Sequence, residues 1–180
     1  VFLAIAIVAF GLFQPWWELT GEHAGAERAT CMFVNPQVMI ESITYDGKTV
    51  LDVAEMPEIF VETLGKIVAI TYAACISLGL AFILNKIGRK QLSVLLELVG
   101  VILLTAAVSM FYLGTAKLCE ASIGVVQGED LLSVSINEET VQMLSRWGFS
   151  SGFYLIIASA VLALFSFILN LRCFFQKKKP

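Results

Sequence analysis

Histidine is almost absent from this chain: His23 is the only one among 180 residues, and the four cysteines, Cys31, Cys75, Cys119 and Cys173, are scattered with no Cys-x-x-C pair. That pattern excludes the common zinc and thioredoxin-like spacings, and one imidazole beside Glu22 is no metal site. A nucleophile elbow, a phosphate-binding glycine loop, an H-E-x-x-H helix and a glycine-rich dinucleotide turn are missing too, so no cofactor is implied. Charge is scarce, at 15% of residues, against about a quarter in soluble domains. The net charge of -3 conceals an uneven distribution and gives no reason to expect nucleic acid as a partner.

What the chain has in excess is apolar residues, 58% of the total, gathered into blocks separated by charged stretches. A helix needs about 20 apolar residues to cross roughly 30 Å of hydrocarbon. Residues 66–84, 92–113 and 149–171 meet that length. Residues 1–13 are apolar without a break but reach only about 20 Å at helical rise. Because the chain starts at Val rather than Met, the expectation is that this helix begins ahead of residue 1. Gln14, Pro15, Trp16 and Trp17 follow it as a helix stop with aromatics, not as the small residues of a signal cleavage site.

Lys86, Arg89 and Lys90 stand without an acid in the short connection between the second and third spans, and Arg172, Lys177, Lys178 and Lys179 follow the fourth. By the positive-inside rule both segments are cytoplasmic. The other two loops hold most of the acids, including Glu18, Glu22, Glu27, Asp52, Glu129 and Glu138, and belong outside. The sequence therefore predicts one membrane domain: helix 1–15, outer β-rich loop 16–56, helix 57–85, cytoplasmic loop 86–91, helix 92–116, outer loop 117–137, helix 138–175 and basic tail 176–180.

Residues 38–45 are rich in β-branched and aromatic types, and Asp46-Gly47 divides them from 48–53, a strong hairpin signal. Residues 123–127, a break at Gly128, and 131–136, where Leu132, Val134 and Ile136 alternate with Ser133 and Ser135, predict two more strands. Isolated hairpins are marginal in water, so the loops are expected to combine into one small sheet capping an all-α four-helix bundle. Pro57 with Glu58 suits a helix first turn, and Asn137 before Glu138 and Glu139 suits an N-cap with acids at the positive end of the dipole. The fourth helix is accordingly expected to start near Glu138 and run through Trp147.

Cys31 and Cys119 both fall in outer segments and form the candidate disulfide joining the two loops. Cys75 reads as a packing residue, and Cys173, beside the basic tail, as a candidate for palmitoylation. Ala69, Ala73, Ser77 and Ala81 place a small residue at every fourth position, and Gly148 with Gly152 form a G-x-x-x-G. Such files let a second backbone approach closely and are expected to be packing faces within the bundle. Glu97 is the one acid inside an apolar span, which makes it a candidate site by default. It lies about 7 Å beyond Leu92 at helical rise, so it is expected to pair with Arg172 or to reach the cytoplasmic boundary, with Asn170 in the same polar patch. Only Thr105, Ser109 and Ser159 add polarity at depth. Trp16, Trp17 and Trp147 are expected as interfacial anchors.

Four spans, cytoplasmic ends, a long first outer loop with strands and a shorter second one resemble the layout of the claudin-like tetraspan group. The resemblance covers most of the chain as topology and implies a four-helix bundle topped by a small sheet. It does not extend to the first-loop motif: Trp16 and Trp17 are adjacent, no Gly-Leu-Trp follows, and Cys31 is that loop's only cysteine. No paracellular-barrier role is carried over, and the Cys-Cys-Gly motif of tetraspanins is absent. The function these features favour is a non-catalytic accessory subunit, or an adhesion or scaffolding module, in contact with membrane lipid and with other membrane proteins or copies of itself. The alternatives are a small oligomeric transporter or channel subunit and, behind it, an interfacial enzyme built on Glu97, Asn170 and Arg172. The expected location is the plasma or cell membrane; Lys177 to Lys179 would suit an ER-retrieval signal if they close a eukaryotic chain.

Overall fold

A computed structural model describes residues 1–23, 27–34, 38–45, 48–54, 58–136 and 139–176. It contains four helices, α1 (Phe2–Leu12), α2 (Glu58–Lys86), α3 (Lys90–Ser122) and α4 (Ser151–Gln176). Three stretches, Gly65–Lys86, Lys90–Glu120 and Ser151–Cys173, are long and apolar enough to cross a membrane, while α1 is apolar but shorter. Exposed apolar side chains such as Ile76 and Ile83 on α2, Leu95 and Ile102 on α3 and Val161 and Phe165 on α4 cover their outer faces. A water-soluble monomer does not normally carry so much apolar surface, and a membrane protein does.

The helix ends follow from backbone chemistry. Pro15 has no N–H to donate and disfavours helical geometry at the residue before it, consistent with α1 stopping at Leu12. The chain leaves α2 through Gly88 at φ +83° and leaves α3 through Gly124 at φ +87°. A Cβ is strained in that left-handed conformation, and its usual occupant after a helix is glycine. The Arg89 N–H returns to Leu84 O at 2.9 Å. The next helix can then start at Lys90, and α2 and α3 pack as a tight hairpin.

Six antiparallel strands, β1 (Pro15–His23), β2 (Glu27–Val34), β3 (Val38–Tyr45), β4 (Lys48–Ala54), β5 (Gly128–Ile136) and β6 (Glu139–Phe149), form one sheet in the order β4-β3-β2-β1-β6-β5. Two separate segments of the chain thus share a sheet, joined where β1 pairs with β6 from Trp17↔Phe149 to Glu22↔Leu144. The β3–β4 pair has Tyr45 opposite Lys48; Asp46 and Gly47 themselves lie outside the described residues, as do Pro57, Asn137, Glu138 and residues 177–180.

Several boundaries differ from the sequence reading. Residues 139–149 are strand β6, not the first turns of a helix, and α4 starts at Ser151. The pattern beneath the acids is period two, with Met143, Ser145 and Trp147 buried and Leu144 exposed. Partners on both sides, β1 and β5, reward that alternation with hydrogen bonds and cross-strand contacts. The third helix continues to Ser122 instead of ending at 116, so residues 123–127 are irregular connection, not strand, and β5 starts at Gly128. Residues 16–23 and 27–34, expected only as part of a β-rich loop, lie in strands β1 and β2, and Pro15, expected to end the first helix, opens β1.

Inside the bundle, hydroxyl side chains bind the backbone of neighbouring helices. Ser77 Oγ donates to Leu96 O and Ser93 Oγ to Ala81 O, each at 2.8 Å, across α2 and α3. Ser159 Oγ donates to Ala4 O at 2.8 Å between α4 and α1. These contacts require close backbones, which small side chains permit. A Cβ added at Gly100 would stand 2.7 Å from Leu78 Cγ.

Candidate functional site

Two places bring the singled-out residues together: the junction of sheet and helices, and the neighbourhood of Glu97 near the far ends of α1 and α4. The junction is aromatic. Trp16 is fully buried and meets Phe111 edge to face at 5.0 Å between ring centroids. Phe111 lies 5.7 Å from Phe153, which stacks on Phe149 at 4.2 Å. Each indole N–H has a backbone acceptor: Trp16 Nε1 donates to Gly11 O at 3.0 Å, Trp17 Nε1 to Val126 O at 3.2 Å and Trp147 Nε1 to Val125 O at 2.8 Å. The last two bonds hold the connection between α3 and β5. The tryptophans are therefore buried posts, not rings lying free on the surface as anchors would.

Gly152 makes room for Trp16. A Cβ there would stand 2.6 Å from Trp16 Cδ1 and 2.7 Å from Gln14 O. Gly148, its partner in the G-x-x-x-G, belongs to strand β6 and faces Gln127, so the two glycines are not one helix face. The small-residue file divides as well. Ser77 and Ala81 are buried against α3, whereas Ala69 and Ala73 are exposed.

All four cysteines are free, so the expected Cys31–Cys119 bond is absent. Cys31 sits within β2, opposite Leu19 on one side and Glu41 on the other, and Cys119 is buried in the last turns of α3. Cys31 is half-buried within its strand. Burial, with Glu41 adding to it, pushes the Cys31 thiol up to about 12, and a protonated thiol is a poor nucleophile and metal ligand. Cys75 is half-buried and Cys173 exposed. His23 pairs through Nδ1 with Gln142 O at 2.8 Å, which ties β1 to β6. Among the described residues no group of three His, Cys, Asp or Glu side chains could hold a metal ion.

Glu97 lies on the buried stripe of α3 formed by Ser93, Glu97, Val101, Leu104 and Phe111, a helical spacing. It has no solvent exposure at all. Asn170 Nδ2 donates to Glu97 Oε1 at 2.7 Å, while Glu97 Oε2 has no hydrogen-bond partner among the described residues. Asn170 continues a stripe on α4 through Ile156, Ser159, Ala163 and Ser166, and the nitrogen of Val1 donates to Ser166 Oγ at 3.4 Å. Arg172, the expected partner, is exposed instead. Two residues past Asn170 it is rotated by about 200° around the helix and cannot share that face. Thr105 Oγ1 returns to its own helix, on Val101 O at 2.9 Å.

The sequence reading did not single out Ser93, Ser166 or the Phe111–Phe149–Phe153 cluster. Ser93 precedes Glu97 by four positions and Ser166 precedes Asn170 by four, so the spacing carried a signal. No protein-family model and no curated protein matches the chain.

Proposed function

We propose that the chain is a four-span, non-catalytic membrane protein, an accessory subunit or an adhesion or scaffolding module, that offers its sheet and helix faces to other membrane proteins. The observation that carries this reading is the sheet itself. Six strands drawn from both long connections are joined to the helices through buried, hydrogen-bonded tryptophans, and β4 and β5 are left as open edges. A platform fixed in this way suits partner binding, since little ordering is needed when a partner docks. In this reading α1 completes the fourth span, the sheet caps the bundle outside the cell as in the claudin-like layout, and the basic connection at Lys86, Arg89 and Lys90 faces the cytoplasm.

The test is gentle solubilisation of the native membrane, native-mass analysis and identification of whatever travels with the chain. Stoichiometric association with a different protein is expected. A chain that runs alone, or only with its own copies, overturns the accessory role. One observation favours a second reading, a small oligomeric transporter or channel subunit: the partnerless, buried oxygen of Glu97. Flux that depends on protein concentration in reconstituted vesicles would select it.

A further inference from the structure

A carboxylate taken out of water needs donors on both oxygens or a fixed opposite charge, and without them the group stays neutral. Glu97 meets only half of that need. Asn170 supplies one uncharged donor to Oε1, and among the described residues nothing reaches Oε2. The arrangement matches a carboxylic acid, in which Oε1 is the carbonyl acceptor and Oε2 carries hydrogen. We propose that Glu97 is a proton-binding site inside the bundle, with Oε2 holding the proton and Asn170 fixing which oxygen does so.

The surroundings have little else to offer. On α2, the contacts made with α3 at this level, Ser77 with Leu96 and Ala81 with Ser93, involve no titratable side chain. On α4 the facing groups are Ser166 and Asn170, both neutral, and Arg172 is turned outward. On α3 itself Lys90 is exposed. On α1, Phe2–Leu12 carries no charged side chain at all. The proposal rests on the membrane setting for the low polarity around the bundle but not on the accessory role. Binding of one proton keeps α3 and α4 together without charge, and its departure would set an uncompensated anion between them.

The test is infrared spectroscopy of the full chain in lipid vesicles at neutral pH, comparing the native protein with Glu97→Gln and Asn170→Leu. The expected result is a carboxylic-acid C=O band that Glu97→Gln removes and that Asn170→Leu moves to higher frequency, because the carbonyl has lost its donor. If Glu97→Gln instead removes a carboxylate band, Glu97 is ionised and the proposal is overturned. Should Glu97→Gln fail to fold, Asn170→Leu decides alone: a carboxylic-acid band that moves to higher frequency in this variant supports the site, and a spectrum in which no carboxylic-acid band moves overturns it. A chain that co-purifies with no partner leaves these outcomes untouched, so the two readings fail separately.

Discussion

Two polar features of the helix bundle, the tryptophan junction at one end and Glu97 near the other, are both buried yet treated in opposite ways. At the junction every indole N–H finds a carbonyl within 3.2 Å. Glu97 is left with one oxygen unpaired. Leaving a buried polar atom without a partner costs about 1–3 kcal/mol, more for a charged group. Satisfied groups of the first kind are what a structural joint requires. An unsatisfied group retained in a core is where a function other than stability is to be sought.

That contrast makes the junction the place where substitution should cost most. Trp16→Ala would remove the ring that fills the space between Phe111 and Gly152, and a loss of about 3–5 kcal/mol is expected from truncation of a large buried aromatic. Denaturant or thermal unfolding in detergent measures it; a loss under about 1 kcal/mol would show that the junction is not a joint. Gly152→Ala should cost less, about 1–3 kcal/mol for overpacking, because Trp16 can give way in part but the carbonyls of Gln14 and Pro15, at 2.7 and 2.8 Å from the added carbon, cannot easily do so. Near-normal stability in this variant would mean that the backbones of the junction can separate. The smallest effect concerns Cys31, a half-buried group that stays neutral simply because it is able to. Its folded value of about 12 against an ordinary 9.0 means that the folded chain holds a proton which the unfolded chain releases first. The resulting stabilisation is complete below about 9.0 and is lost as pH rises through about 12. Cys31→Ala should therefore flatten the alkaline part of the stability curve. Thiol labelling at neutral pH should modify the exposed Cys173 well before Cys31, and equal rates would show that β2 does not enclose its thiol.

The sequence disclosed the helices because long apolar runs leave few other structures open. It disclosed β3 and β4 because Asp46-Gly47 divides two β-branched runs. It concealed β6 because Glu138 and Glu139 imitate a helix N-terminus, and only pairing with β1 and β5 overrides that local signal. For the buried site, Glu97 and Asn170 were legible as polar residues at similar depth. Arg172 was misplaced because depth along a helix says nothing of the direction around it. The expected Cys31–Cys119 bond is absent for a related reason: Cys31 lies in strand β2 but Cys119 in the last turns of α3 rather than in the second loop, and membership of a loop does not bring two side chains together.

The junction has one further property. Only Phe13 and Gln14 separate α1 from β1, and only Ser150 separates β6 from α4. The helices so connected pack on each other, and so do the strands. The Ser150 N–H also donates to Trp16 O at 3.0 Å, bridging the two crossings. Helix pair and strand pair are thus two arms of one lever with Trp16 at its fulcrum, and a tilt between α1 and α4 would swing the β1–β6 strands rather than be absorbed in a flexible linker.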